Sequence, residues 1–345
     1  MIPFPGAETI VSAGRRRILL AAAATMLPCP VRAQTSRTFA RIGIVFNTFP
    51  LAAVAGDQPS EPLMREFLKG LRDEGWVEGR NIVVERRTAE GKLDRIESIV
   101  RELAQRPVDV IVVSGNAATL SAKKATSTVP IVSSGMANPV ELGIVSSLAH
   151  PGGNVTGIVP AFGNELAVKR VELLRELLPD ARRVAYLGTN VTAGPAGEVP
   201  QEVLVAAKAM GLTLTYVDAR LPDLTAGLEQ LGRERADALI AVPSVPLYPH
   251  RRAIVEYASA ARLPDIHGFR EAVEDGGLAS YGGDTYFTWR RAAHFVNRIL
   301  AGAKPGDLPV EKSDRYWLML NARRARALGI SIPTALRQRA DEVID

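Results

Sequence analysis

The sequence predicts an α/β fold of two doubly wound parallel-sheet lobes joined by a hinge, and three observations carry that prediction. Short apolar runs alternate along the chain with segments whose apolar residues recur at helical spacing. Val108-Asp-Val-Ile-Val-Val-Ser114 is an almost continuous β-branched run, as expected for a strand buried on both faces of a parallel sheet. Pro151-Gly152-Gly153-Asn154 then interrupts the alternation, which restarts beyond it.

In chain order, residues 41–47 read as the first strand. Residues 62–75 read as a helix, with Leu63, Phe67, Leu68 and Leu71 on one face and Gly75 stopping it. A strand at 81–85 and a helix at 93–105, with Ile96, Ile99, Val100 and Leu103 aligned, lead to the strand at 108–114. A helix at 117–126 and a strand at 129–133 follow. Residues 139–148 are expected to be helical, with Asn138 as N-cap and Pro139 in the first helical position. The break at 151–154 reads as the crossing between lobes. Beyond it, helices are expected at 165–178, 198–210, 223–235, 250–261 and 285–300. Strands are expected at 183–187, 213–217, 238–242, 265–267 and 278–281. Such alternation requires right-handed crossovers and a mainly parallel sheet.

The first 33 residues have a different character. Arg15-Arg16-Arg17 precedes an apolar stretch from Ile18 to Leu27, and Val31-Arg32-Ala33 puts small residues three and one before Gln34. That is the order of a secretory signal peptide, expected to be cut after Ala33. The apolar stretch falls short of the roughly 20 residues that span a bilayer. The arginines followed by Ile18 and Leu19 resemble a twin-arginine signal, but Leu20 and Gly14 depart from it, so the general secretory route stays open.

Removing that segment changes the composition. The whole chain carries +5, and residues 1–33 contribute +3 through Arg15, Arg16, Arg17, Arg32 and Glu8, leaving +2. No basic patch remains to neutralise phosphates, so nucleic acid is not an expected partner. The single cysteine, Cys29, lies in the signal, and Pro28 before it argues against a lipid anchor. Thiol chemistry and disulfides are therefore not expected. The remaining length suits two ordinary domains.

In doubly wound lobes ligands collect beyond the C-terminal strand ends. In the first lobe those positions are Asn47 and Thr48, then Ser114, Gly115 and Asn116, then Met136, Asn138 and Pro139. Small and amide residues at strand-to-helix turns cap helices, and a helix start also suits a carboxylate. In the second lobe the matching positions are Asn190, Ser244 and Phe269. Near the crossing back stand Tyr281 and Asp284. Asp284 is either an N-cap or an anchor for a ligand amine. Tyr281 either stacks on a ligand or packs between lobes. Arg270 pairs either with a ligand carboxylate or with Glu271 or Glu274.

Catalysis finds no support. No Gly-x-Ser-x-Gly elbow or phosphate loop occurs, and residues 152–157 do not fit Gly-x-Gly-x-x-Gly. His150, His250, His267 and His294 are scattered without metal spacing. No catalytic residue, metal or cofactor is expected.

Gly70-Leu-Arg-Asp-Glu-Gly-Trp-Val-Glu-Gly-Arg-Asn-Ile82, Lys124-Ala-Thr-Ser-Thr-Val-Pro-Ile-Val132, Asn138-Pro139 and Pro151-Gly-Gly-Asn-Val-Thr-Gly157 occur in succession. Gly268-Phe-Arg-Glu271, Ser280-Tyr-Gly282, Gly302-Ala-Lys-Pro305 and Arg339-Ala-Asp-Glu-Val343 follow. Together they resemble a large group of ABC-transporter substrate-binding proteins whose characterised members include tryptophan- and tyrosine-binding proteins. The resemblance spans residues 40–345. It implies the type 1 periplasmic binding fold, periplasmic location, no catalysis, and a small ligand in the cleft, either an amino acid or an aromatic solute. It also implies an ABC permease in the inner membrane as partner, with a membrane receptor as the alternative. Asn138 stands where the family often has Asp, and residues 188–195 depart from its usual turn, so the ligand need not be an aromatic amino acid. The expected division is a first lobe at 40–155, completed by about 284–312, and a second at 156–283, completed by about 313–345.

Overall fold

The computed structural model describes residues 39–345 apart from 93, 162, 190–198 and 222. The expected export signal, its cut after Ala33 and the expected site residue Asn190 lie outside the described residues.

A first run comprises β1 (Ala40–Phe46), α1 (Leu51–Val54), α2 (Pro62–Asp73), β2 (Ile82–Thr88), α3 (Arg95–Ala104), β3 (Val110–Val113), α4 (Asn116–Ala125), β4 (Ile131–Ser133) and β5 (Val155–Val159). The chain then crosses to α5 (Asn164–Leu177), β6 (Arg183–Gly188), α6 (Gln201–Ala209), β7 (Thr213–Asp218), α7 (Leu224–Glu234) and β8 (Ala238–Ala241). The same run continues through α8 (Arg251–Ala260), β9 (Asp265–His267), α9 (Arg270–Glu274) and β10 (Ala279–Gly283). It returns as α10 (Thr285–Leu300) and β11 (Glu311–Lys312), and crosses a third time into β12 (Tyr316–Asn321), α11 (Ala322–Leu328), α12 (Thr334–Arg339) and β13 (Glu342–Ile344).

The two sheets run β2-β1-β3-β4-β5-β11 and β7-β6-β8-β9-β10-β12-β13. Among the described strands, all pairings are parallel except β10 with β12. Each sheet repeats one winding, in which the order reverses between its first and third strands. Those switch points, β1/β3 and β6/β8, are where ligands of open α/β sheets bind.

Period-two alternation explains the layering. Ile42, Ile44 and Phe46 of β1 join Phe67 of α2 and Trp289 of α10 in one core. Val45 faces the opposite side with Ile111, Val113 and the apolar stripe of α3. The second sheet divides likewise, with Val184 and Tyr186 on one face and Ala185 and Leu187 on the other. Fully burying one such large side chain contributes about 1.5–3 kcal/mol. Gly70 lets α10 press against α2, since a Cβ there would lie 2.9 Å from the Ala293 Cβ and 3.0 Å from the Arg290 carbonyl oxygen. Trp76 Nε1 donates to Asn297 Oδ1 at 2.9 Å, and Asn297 Nδ2 donates to Glu74 Oε2 at 2.6 Å. These contacts fasten α10 to the first lobe.

The three crossing segments lie side by side. The Ser313 N–H donates to the Val159 carbonyl at 2.8 Å, and the Asp284 N–H to the Arg315 carbonyl at 3.1 Å. A Cβ on Gly283 would stand 2.8 Å from the Ala161 carbonyl oxygen. The hinge is thus laterally bonded backbone with no room for a side chain at Gly283.

Two expectations are corrected. Residues 139–148 form turns rather than a helix. Asn138 and Gly143 take left-handed φ of 45° and 64°, and the Ile144 and Val145 N–H groups both return to the Pro139 carbonyl. Chain reversal within one turn leaves no helix for Asn138 to cap. The crossing between lobes also does not occur at 151–154. It follows β5, which pairs with β4 in the first sheet. The segment there turns at Gly152, φ 75°, and lies against Gly306: the Gly152 N–H donates to the Gly306 carbonyl at 3.2 Å, and a Cβ on Gly306 would lie 2.9 Å from the Gly153 carbonyl oxygen.

Candidate functional site

A cavity of about 540 Å³ opens between the two sheets, at both switch points. That is the size of cleft that encloses small organic ligands. At the first switch point Asn47, just past β1, donates through Nδ2 to the Ser114 carbonyl, just past β3, at 2.8 Å. That bond orients the amide and leaves Asn47 Oδ1 buried with no hydrogen-bond partner. A buried acceptor without a donor is costly, about 1–3 kcal/mol. At the second switch point Thr189 Oγ1 and Ser244 Oγ lie 3.5 Å apart.

Helix α4 begins at the wall. Its N-cap is Gly115 at φ 84°, and no side chain caps the helix. Asn116 Oδ1 instead accepts from the Ala137 N–H at 2.8 Å, tying two wall segments together. Fully buried Thr119 braces the turn from behind, donating to the Gly115 carbonyl at 2.8 Å and lying 2.9 Å from Ser133 Oγ. A Cβ on Gly115 would stand 3.4 Å from Val245 of the other lobe. The positive end of α4 therefore faces the cavity at the point where the lobes meet.

Five rings continue the wall across both lobes. Trp289 stacks on Phe46 at 5.2 Å, Phe46 meets Phe49 edge-on at 5.6 Å, Phe49 meets Tyr248 at 5.8 Å, and Tyr248 meets Phe269 at 4.9 Å. Pairs of this geometry contribute about 0.5–1.5 kcal/mol beyond area burial. Asp284 is the single charged residue among the described residues lining the cavity, which include no Lys, Arg or His. Its Oδ1 accepts from the Phe287 N–H at 3.0 Å, so it caps α10 and lines the wall at once.

Beside the cavity, carboxylates from both lobes are buried along one seam. Glu61, the N-cap of α2, is 5% exposed, and Glu271 of α9 is 1% exposed. Burial pushes Glu61 up to about 7 against the opposing pull of Arg251 and the Leu63 N–H. Burial also raises Glu271, against the hydroxyl of Thr285, which donates to it at 2.6 Å. Burial and these two carboxylates hold the Tyr248 phenol well above its ordinary value.

Of the residues expected from sequence, Asn47, Thr48, Ser114, Gly115, Asn116, Ser244, Phe269 and Asp284 line the cavity. Met136, Asn138, Pro139 and Tyr281 are not part of its wall. Met136 is fully buried in the core on the far face of the first sheet. Asn138 and Pro139 begin the turns described above. Tyr281 stacks on Tyr316 at 6.3 Å within the second lobe. Arg270 pairs with Glu274 at 3.1 Å and with Glu342 at 2.8 Å. Phe49, which follows Asn47 and Thr48 past the first strand, is also in the wall, and Phe46, Tyr248, Thr285, Thr288, Trp289 and Pro160 join it without having been singled out. Thr285, Thr288 and Trp289 follow Asp284 within five residues of a helix start, a spacing that was available to sequence reasoning. Among the described residues no group of three His, Cys, Asp or Glu is placed to hold a metal, and no helix is long and apolar enough to cross a membrane.

Comparison with known proteins places this architecture. The family model for ABC transporter substrate binding protein matches residues 56–344. A tyrosine-binding protein of Clostridioides difficile is 26% identical over 270 residues, covering 76% of this chain and 75% of the relative. A conserved domain protein from Vibrio cholerae has a similar structure, with 25% identity, a TM-score of 0.72, and 88% of this chain and 99% of that one covered. A Streptococcus pneumoniae ABC domain in complex with L-Trp shares the fold at 22% identity and a TM-score of 0.72, with 89% and 100% covered. The repeated winding, the three-strand hinge and the family match agree: this chain belongs to the ABC transporter substrate binding protein family.

Proposed function

We propose that the chain is exported with its signal cut after Ala33, captures a small solute between its lobes, and presents it to an ABC permease in the inner membrane. The solute has an aromatic or apolar body and a zwitterionic head. One observation carries this reading. The wall combines five rings with an uncapped helix start for a carboxylate, and with Asp284 and the unpartnered Asn47 Oδ1 as acceptors for an ammonium group. A net anion finds no cationic side chain among the described wall residues. Residues 40–159 with about 284–312 form one lobe in this reading, and residues 164–283 with about 313–345 the other. A solute that touches both lobes stabilises the form in which both sets of contacts are made.

The first probes are the aromatic amino acids, which match the head and body and are what two of the similar proteins are described as binding. Thermal-shift screening of residues 34–345 against L-tyrosine, L-tryptophan, L-phenylalanine and their decarboxylated amines tests the reading. A solute at 100 times its dissociation constant adds about 2.7 kcal/mol. A shift with the amino acids, weaker with the amines, supports a zwitterionic head. Equal shifts with the amines, or shifts with aromatic acids alone, contradict it.

A further inference from the structure

We propose that the seam beside the cavity is a proton-operated latch: Glu61 of the first lobe and Glu271 of the second are buried where the lobes meet, share Arg251, and take up one proton as the lobes close. The proposal rests on the capture-by-closure reading and adds a regulator to it.

The charge inventory of the seam carries the argument. Glu61 enters from the start of α2 and Glu271 from α9, both almost fully buried. Arg251 of α8 faces both. Arg251 is already engaged elsewhere, 3.0 Å from Asp275, with its guanidinium 4.5 Å over the Tyr248 ring. Arg252 approaches the same Asp275 from the exposed side at 3.1 Å. Arg65, on Glu61's own helix, donates to the Pro59 and Ser60 carbonyls at 2.9 and 2.6 Å. On the α10 side Thr285 donates to Glu271, and Tyr286 donates to Glu274 at 2.8 Å. Tyr248, 4% exposed, adds a neutral phenol to the seam, and its hydroxyl beside Glu271 offsets part of the effect of burial on that carboxylate. Two buried carboxylates thus face one guanidinium that Asp275 also holds. Burying a second uncompensated charge costs more than neutralising it, so one proton is bound in the closed form.

The direction for Glu61 agrees with this inventory. In the closed seam it is raised to about 7 from an ordinary 4.5, chiefly by burial. Opening the lobes removes Tyr248, Arg251 and Glu271 from its surroundings and returns it towards the ordinary value. A group raised in the closed form stabilises that form fully below its open-form value, and the effect is lost as pH rises through its closed-form value. The closed-to-open ratio therefore falls up to about tenfold per pH unit between those limits, and roughly fifty- to hundred-fold from pH 5 to pH 8.

The test uses residues 34–345 without any solute, so its failure leaves the capture reading to be judged separately by solute binding. Glutamate labelled with ¹³C at the carboxyl group is titrated by NMR, the Glu61 resonance being identified by its loss in Glu61→Gln. Small-angle scattering at pH 5 and pH 8 reports lobe separation. The latch predicts a Glu61 titration near 7, a larger radius of gyration at pH 8 than at pH 5, and a Glu61→Gln radius that stays at the low-pH value. A Glu61 titration near its ordinary value overturns the latch. So does a wild-type radius equal at both pH values, or a pH response in Glu61→Gln equal to that of wild type. Should Glu61→Gln fail to fold, Glu271→Gln serves: it removes one of the two seam carboxylates that share Arg251, and the Glu61 titration is expected to fall. An unchanged titration there overturns the shared-cation arrangement.

Discussion

Asp284 serves as a cap for α10 and, in the proposed reading, as an anchor for a ligand ammonium group, and two substitutions separate these roles. Asp284→Asn keeps a side-chain oxygen for the Phe287 N–H, now 3.0 Å from Oδ1, but removes the charge. Asp284→Ala removes both. Loss of an N-cap costs about 0.5–2 kcal/mol, so the alanine variant is expected to melt several degrees below wild type and the asparagine variant within about 0.5 kcal/mol of it. A hydrogen bond to a charged group contributes about 1.5–3 kcal/mol, so both variants are expected to lose roughly ten- to hundred-fold in affinity. The assay is paired: thermal melting without solute, and calorimetric titration with whichever aromatic amino acid shifts the wild-type melt. Full affinity in Asp284→Asn refutes the anchor. Equal melting of Asp284→Ala and wild type refutes the cap. If only the alanine variant loses affinity, it does so through a frayed helix start rather than a lost charge.

Asn47→Ala removes the bond to the Ser114 carbonyl and the unpartnered acceptor together, so affinity for the same solute is expected to fall at least fivefold in calorimetry; unchanged affinity excludes that acceptor from the site. Gly283→Ala places a Cβ 2.8 Å from the Ala161 carbonyl oxygen and is expected to cost about 1–3 kcal/mol in chemical denaturation; a neutral effect would mean the hinge strands are not held at that spacing. Met136→Leu changes a buried core residue by a near-equal volume, so stability is expected to fall by less than about 1.5 kcal/mol with affinity unchanged; a large loss of affinity would bring Met136 back to the cavity.

Much of the fold is written in local pattern. The β-branched run around β3 and the helical spacing of Leu63, Phe67, Leu68 and Leu71 report burial directly, because each side chain's face follows from its position in the repeat. What local pattern hides is tertiary. Residues 139–148 carry apolar positions that pass for a helix, yet Gly143 reverses the chain after one turn and leaves Val140 and Leu142 exposed. The glycines at 152 and 153 look like a domain boundary, but Gly152 serves a local turn at φ 75°, and this backbone packs closely on Gly306, some 150 residues away. Strands β12 and β13 add to the second sheet after the chain has changed lobes three times, and β12 runs antiparallel to β10, which alternation does not foresee.

The site divides the same way. Asn47, Ser114 and Ser244 were legible because the C-terminal strand ends of a doubly wound sheet are known once the strands are known. Met136 and Tyr281 sit close to such ends but turn to other faces of their sheets, where sequence distance alone cannot place them. The aromatic chain from Trp289 to Phe269 draws on four separate segments, and its members look like ordinary core residues until the lobes are brought together.

The account stands or falls on where a bound solute sits. A crystal structure of residues 34–345 grown with the amino acid that raises its melting temperature decides this. The account predicts density in the 540 Å³ cavity touching Asn47 and Asp284 on one side and Ser244 or Phe269 on the other, with the solute chemically unchanged. A solute bound outside that cavity, or contacting one lobe alone, would contradict it.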